Sequence, residues 1–462
     1  MSVLPVIAIF DIGKTNKKIF LFNEQYKIVF EESVTMVETV DEDGFPCEDI
    51  NELTRWVKDT FHRIMGMPEF IIRGINFSAY GASFVHLDKN DRAFLPLYNY
   101  LKPYPPLLQD EFYLKYGGKD KLSIETASPV LGNLNSGMQL YYLKHKRPDV
   151  FKAIKWSLHL PQYLGFIISK KICSEITSIG CHTNLWNFKK KTYHNWVESE
   201  GIQKLLPPLC DGEKPVNISL KKNRAVVGIG LHDSSAALLP YLTSFNYPFV
   251  LISTGTWCIS LNPFNHTPLT IEELKDDCLC YLSCEGNPVK ASRLFAGNEH
   301  EQQVKKLSAH FNMPLDYYTS VEYDPAIIST LKNKNHIIPF LKNQDTTHVS
   351  TFSQRELSSF DNYAQAYHQL MCDIVIQQKK STQFVLNGTE ARRIFVDGGF
   401  SRNNVYMFLL AASFPEMEVY AASVSQASAI GAALIIHKYW NKKPLPGNII
   451  DLKYYSSSSI TT

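Results

Sequence analysis

Asp11 ends an apolar run, Val6-Ile7-Ala8-Ile9-Phe10, and is followed by Ile12-Gly13-Lys14-Thr15-Asn16. A carboxylate beside a glycine, a lysine and two short polar side chains suits a phosphate group and its metal. Gly13 lets backbone approach a ligand closely. Lys14, Thr15 and Asn16 supply a charge and donors for phosphate oxygens, and Asp11 can hold a hydrated Mg²⁺. The same residues would also make an ordinary polar hairpin turn, and the chain has no G-x4-G-K-[ST] loop. A second such tip, Thr254-Gly255-Thr256, follows the apolar run Pro248 to Ser253 and precedes a return strand, Trp257 to Leu261. Two phosphate-sized turns point to a nucleotide. Gly398-Gly399, after Ile394-Phe395-Val396-Asp397, allows a flat ligand such as a purine to lie on bare backbone, and the lack of a full G-x-G-x-x-G after a strand counts against a dinucleotide dehydrogenase. Asp233 follows Ala225-Val226-Val227-Gly228-Ile229-Gly230 and precedes small residues. Phosphoryl transfer to an alcohol needs a group that orients the hydroxyl and takes its proton. Asp233 suits that role and suits a helix N-cap equally well.

The elements that must position these residues are α/β in pattern. Val6 to Phe22 reads as a hairpin with the polar tip at its turn, and the Gly255 hairpin repeats that design a little over half the chain later. Apolar residues at helical spacing predict a helix over 51–65, capped by Asn51 or Thr54. Ile71 to Phe77 reads as a strand, and Asn135 to His145 as a helix stopped by Pro148. Trp156 to Ser169 reads as helical with a break at Pro161. Further helices are expected over 363–377, 403–412 and 427–437, with a short strand at Val419-Tyr420 and a frayed tail over 454–462. Strands alternating with helices throughout argue for mixed-sheet α/β lobes.

Composition narrows the function. The chain has 462 residues, enough for two or three domains. Lys and Arg number 47 against 45 Asp and Glu, a net charge of +2, which gives no support for a nucleic-acid or anionic-membrane partner. Nine cysteines, an odd count in a long chain, speak against a secreted disulfide framework. Cys278, Cys280 and Cys284 lack the paired spacing of common zinc sites and read first as buried thiols on a strand. No signal-peptide pattern and no apolar run of about 18 residues are present, so the expected compartment is the cytoplasm.

In order along the chain these motifs resemble those of the FGGY carbohydrate kinases. Asp11-Ile12-Gly13-Lys14-Thr15-Asn16 is similar to the family's first phosphate loop, and Gly230-Leu231-His232-Asp233-Ser234 to its catalytic-base motif. Ile252-Ser253-Thr254-Gly255-Thr256-Trp257 resembles its second phosphate loop, Val396 to Asn403 its adenosine motif, and Ala427 to Ala433 the Gly-Ala-Ala helix that follows. The resemblance implies two ribonuclease-H-like lobes of the actin and Hsp70 type with a cleft between them, over 1–243 for the sugar and 244–462 for ATP. It implies that ATP phosphorylates a hydroxyl, the primary one, of a ketose. His232 and Trp257 point toward the rhamnulokinase and fuculokinase branch, so L-rhamnulose and L-fuculose lead, with D-xylulose or another ketose or polyol behind them. Asp233 would be the base, and Asp11 with Asp233 would serve Mg²⁺ indirectly. Gly13, Lys14, Thr15, Asn16, Thr254, Gly255 and Thr256 would cradle phosphates, and Gly398, Gly399, Ser401 and Asn403 the adenosine. Tyr80, Gly81, Ser83, Tyr98 and His232 would border the sugar.

The chain departs from the family in four places. Where rhamnulokinases carry Trp-Gly-x-Asp it has Tyr80-Gly81-Ala82-Ser83, without the carboxylate, and where many members carry Arg-Asp-x-Arg it has Asn99-Tyr100-Leu101-Lys102. Lys14 and Asp397 are also atypical. The alternatives are an actin- or Hsp70-like ATPase with a protein partner and a sugar-binding relative without catalysis. A homodimer is left open.

Overall fold

The N-terminal apolar run folds as β1 (Leu4–Ile12) and returns antiparallel as β2 (Asn16–Asn23), which pairs with β3 (Ile28–Thr35). β1 is almost wholly buried, as β-branched residues covered on both faces should be. In this computed structural model, residues 3–81, 83–220, 223–333, 351–424 and 426–456 are described. They form two compact units, one from 1–244, 280–288 and 425–449, the other from 245–279, 289–424 and 450–462.

In the first unit, β4 (Phe70–Ala79) lies parallel to β1. Helix α1 (Ile50–Gly66) connects the hairpin side to β4 and buries Leu53, Val57, Phe61 and Ile64. Its cap is Asp49, whose carboxylate accepts from the amides of Asn51 and Glu52, ahead of both expected capping positions, Asn51 and Thr54. Thr54 instead donates back to the Ile50 carbonyl from within the first turn. The 156–169 segment is not one broken helix. It is a strand, Trp156–His159, followed by helix α2 (Leu160–Ser169), with Pro161 in the first turn where its missing N–H costs nothing. β5 (Val216–Ser219) and β6 (Arg224–Val227) complete the sheet, in the order β5-β6-β4-β1-β2-β3. The short β7 (Leu231–His232) pairs with the end of β4 and leads directly into α3 (Asp233–Ser244).

The second unit repeats this design. β8 (Phe249–Thr254) returns as β9 (Cys258–Asn262), which pairs with β10 (Pro288–Leu294). Helix α4 (Ala296–Phe311) follows, then α5 (Tyr363–Leu386), which extends well past the expected 377. β11 (Arg393–Gly398) is parallel to β8 on the side away from β9. After α6 (Asn404–Ser413), β12 (Glu418–Ser423) lies parallel to β11, and β13 (Asp451–Tyr455) closes that edge antiparallel. Tyr454 and Tyr455 of the expected tail are therefore paired strand, and 457–462 lie outside the described residues. In both units an antiparallel three-strand meander is extended, beyond its first strand, by parallel neighbours. Helix Ala427–Leu434 belongs to the first unit, followed by a short separate helix, His437–Trp440. Cys278 and Cys280 are buried on the strand Cys278–Leu282, where burial holds the Cys278 thiol up near 12. Among the described residues, no three His, Cys, Asp or Glu side chains gather as metal ligands, and no helix is long and apolar enough to cross a membrane.

Candidate active site

In the first unit, Asp11 and the β7–α3 junction lie on either side of the end of β4. Asp11 is in register with Ser78, and so is Leu231 on the opposite side. Strands spaced at about 4.8 Å thus set Asp11 and Leu231 roughly 10 Å apart in backbone, close enough for the side chains of Asp11 and Asp233 to feel each other. Burial, then the Asp233 charge, pushes Asp11 up to about 6, although Ser428 Oγ donates to its Oδ2 at 3.0 Å. Burial likewise raises Asp233 to about 6, against the hydrogen bonds it accepts from Ser234. Asp233 is the first residue of α3, so the candidate base sits at the helix terminus. Its Oδ1 accepts from the Ser234 amide at 2.6 Å and lies 3.2 Å from His232 Nε2. Among the described residues its Oδ2 has no hydrogen-bond partner, and 36% of the side chain is exposed. One oxygen is held and the other is open, the arrangement an oriented general base requires.

His232 itself is buried, and burial drops its imidazole to about 3, so its contact with Asp233 is not an ion pair at neutral pH. Its ring nitrogens meet Cys181 Sγ at 3.1 Å and Ser235 Oγ at 3.2 Å. Gly81 packs against the same ring. A β-carbon there would fall 2.5 Å from Cys181 Sγ and 2.9 Å from His232, so no side chain fits without displacing the wall behind Asp233. Tyr80 is buried against Tyr100 and donates to Glu48 Oε1 at 2.9 Å. Ser83 and Tyr98 are placed differently from Gly81 and His232. Ser83 Oγ donates to the Tyr98 carbonyl at 3.3 Å, and Tyr98 donates to Glu42 at 2.7 Å at the edge of a separate cavity lined by Asp43, Asn99, Lys102 and Tyr142.

The tip of the first hairpin is closed by the Gly13 amide donating to the Asn16 carbonyl at 3.0 Å. Thr15 is exposed, and Asn16 Oδ1 accepts from Thr35 at 3.2 Å. Lys14 is half-buried and turned toward two carboxylates. Its ammonium donates to Glu38 at 2.9 Å and Glu48 at 3.3 Å, and although burial works against the charge, these carboxylates hold it above its ordinary range.

In the second unit, Thr254 ends β8 and organises the 397–400 turn. Its hydroxyl donates to the Asp397 carbonyl at 2.6 Å and accepts from the Phe400 amide at 3.0 Å, while its carbonyl accepts from the Gly399 amide at 3.0 Å. Gly398 has φ +91°, and a β-carbon there would lie 1.9 Å from the Thr254 carbonyl oxygen, so glycine is obligatory. Ser401 Oγ donates to the Gly398 carbonyl at 2.8 Å, and Asn403 caps α6 while donating to Tyr367 at 2.6 Å. Gly255 and Thr256 pack under the start of α4, where Gly297 is needed because a β-carbon would lie 1.8 Å from the Gly255 carbonyl. Thr254, Gly255, Gly297, Gly399 and Asn403 wall a cavity of about 430 Å³ with His300, Tyr318, Glu322 and Arg402, within the size range of small-molecule sites, whereas Thr256, Gly398 and Ser401 stand behind its lining. His300 is held by Tyr367 at 3.0 Å and edge-on to Tyr318 and Phe400. Gly297, His300, Tyr318, Glu322, Glu48 and Lys17 carry no local sequence signal, because their roles come from segments distant along the chain.

The chain matches the sequence model of the FGGY family of carbohydrate kinases, N-terminal domain, over residues 6–239, and that of the carbohydrate kinase FGGY C-terminal domain over 246–444. It is 27% identical over 280 residues to a rhamnulokinase of Halalkalibacterium halodurans, a match covering 57% of this chain and 56% of that protein. It is 21% identical over 421 residues to a rhamnulokinase of Oceanobacillus iheyensis, covering 84% of each. Among solved structures it resembles a carbohydrate kinase from Novosphingobium aromaticivorans, with a TM-score of 0.79, 21% identity and coverage of 98% of this chain and 95% of that one. It also resembles a xylulose kinase from Rhodospirillum rubrum, with a TM-score of 0.77, 14% identity and coverage of 100% and 96%. These likenesses establish the two-domain α/β fold of the actin and Hsp70 type.

Proposed function

The chain belongs to the FGGY family of carbohydrate kinases, and on that premise we propose that it transfers the γ-phosphoryl group of ATP to the primary hydroxyl of a ketose. The observation that carries this reading is the state of Asp233, with Oδ1 fixed by Ser234 and Oδ2 open. The ketose hydroxyl donates to Oδ2. As its oxygen bonds to Pγ and the bond from Pγ to the bridging oxygen of ADP breaks, the hydroxyl proton passes to Asp233. That transfer comes late, because the loose transition state asks chiefly for positioning. The adenosine end of ATP is assigned to the cavity beside Gly398, Gly399, Ser401 and Asn403, with Thr254, Gly255 and Thr256 toward its phosphates.

A hydrated Mg²⁺ fits the paired carboxylates of Asp11 and Asp233, because burial makes both costly to ionise, the Asp233 charge adds to that cost at Asp11, and a dication relieves it. When bound it would neutralise charge on the phosphates.

L-rhamnulose and L-fuculose are the leading substrates, the first supported by the rhamnulokinase relatives and both by His232 and Trp257. D-xylulose follows, because Tyr80-Gly81-Ala82-Ser83 lacks the carboxylate of the rhamnulokinase turn. A coupled assay over C5 and C6 ketoses and polyols tests this. Sugar phosphate forming one for one with ADP is expected. ADP with free phosphate, independent of any sugar, would show an ATPase instead.

A further inference from the structure

Lys17 is the second residue of β2, yet it is 1% exposed and among the largest fully buried side chains of the protein. A buried ammonium is costly unless its donors are met. Here Nζ donates to the carbonyl of Gly13 at 3.0 Å and of Lys14 at 2.9 Å, and sits 2.9 Å from Glu48 Oε2 in a charge contact less well directed than the other two. The other oxygen of Glu48 accepts from Tyr80 and from Lys14. One buried carboxylate therefore balances Lys17, engages Lys14 and holds Tyr80.

The consequence for the loop follows from peptide geometry. Peptide bonds among the described residues are trans, so the carbonyl of one residue and the amide of the next point opposite ways. Drawing the Gly13 and Lys14 carbonyls toward Lys17 turns the amides of Lys14 and Thr15 to the other side. Among the described residues neither amide has a hydrogen-bond partner. Two successive amides presented together make an anion-binding concavity. We propose that Lys17, balanced by Glu48, is a positioning residue that shapes the anion-binding face of the Gly13–Asn16 loop from behind, and that Glu48 joins this loop to Tyr80. The phosphate contact at this loop would then come from backbone amides rather than from the Lys14 ammonium, which the carboxylates occupy. This rests on the kinase reading of the loop.

Lys17→Met keeps chain length and removes all three donors. With ATP and the best ketose, its kcat is expected to fall at least about tenfold, by analogy with loss of a preorganised anion donor, while the ketose KM stays within about threefold. A folded Lys17→Met enzyme with kcat within twofold of the parent overturns the proposal, whatever its Tm. Should Lys17→Met fail to fold, Glu48→Gln reads the same brace and is expected to lower kcat several-fold, whereas unchanged kcat overturns it. In the double variant the two losses should be strongly non-additive, and full additivity counts against a shared brace. If the parent phosphorylates no ketose, the proposed function fails, and the brace is then read by calorimetry with MgATP. At least fivefold weaker binding to Lys17→Met supports it and equal binding refutes it.

Discussion

Replacing Asp233 by Asn keeps the shape of the side chain and removes its capacity to take a proton. A positioned general base is worth about 10²–10⁴ in rate, so Asp233→Asn should lower kcat by that factor while MgATP still binds. The pH dependence is more specific. Asp233 is raised from 3.8 to about 6 by burial. A base with that value is about nine-tenths ionised at pH 7 and about one-tenth at pH 5, so kcat/KM should fall about tenfold between them. Asp11 titrates in the same window, which makes the acid limb steeper than one proton. Stability moves the opposite way. A carboxyl whose folded value is raised contributes stability that is fully present below about 3.8 and lost as pH rises through about 6. A two-unit shift corresponds to about 3 kcal/mol. With 36% of the side chain exposed, solvent screening reduces this to about 1 kcal/mol. Asp233→Asn is thus expected to raise Tm by about 2–4 °C at pH 8 and not at pH 4. Stopped assays over pH 4.5–8.5 and thermal melts at both ends check it. A variant retaining more than about a tenth of parental turnover, or a parent whose kcat/KM is flat down to pH 4.5, would refute the assignment.

Three further outcomes follow from particular contacts. Gly398→Ala places a β-carbon on the Thr254 carbonyl at a φ of +91°, a strain of at least about 1–3 kcal/mol, and should weaken ADP binding about tenfold or more by calorimetry. Gly81→Ala pushes on Cys181 and His232 and should depress kcat/KM for the ketose at least about tenfold, with ADP affinity unchanged. Asp49→Ala removes the α1 cap. It should cost about 1 kcal/mol, or about 2–4 °C in Tm, with normal kcat.

What the sequence makes legible is what local chemistry specifies. The two hairpins follow from β-branched runs meeting at small polar tips, and β1–β2 and β8–β9 fall where those runs are. Asp11, Asp233, Thr254 and Gly398 sit at strand or helix ends, where a change of pattern marks them. The 156–169 segment is ambiguous in sequence, because a short buried strand and a buried helix share the same apolar run and only tertiary pairing separates them. Lys17 looks like a solvent-facing strand residue until β1, Glu48 and the loop close over it. Gly297 is needed only because the Gly255 carbonyl lies against it, and that contact has no trace in the residues around either one. Tyr98 and Ser83, placed beside the sugar by family resemblance alone, have polar atoms that bond within the protein, Tyr98 to Glu42 and Ser83 to the Tyr98 carbonyl.

The helix Ala427–Leu434 carries a consequence for how the protein is made. Ser428 reaches Asp11 across 417 positions of sequence, and the Ala432 carbonyl receives Asn76 Nδ2 at 2.7 Å. At about 5–20 residues per second, a ribosome needs on the order of 20–80 s to travel from Asp11 to Ser428. Throughout that interval the nascent first unit lacks a segment that belongs to it, and the carboxylate of Asp11 waits without its hydroxyl donor. An excised fragment ending at Ser244 would share that deficit permanently, so an autonomous N-terminal piece must carry residues 280–288 and 425–449 grafted back onto it.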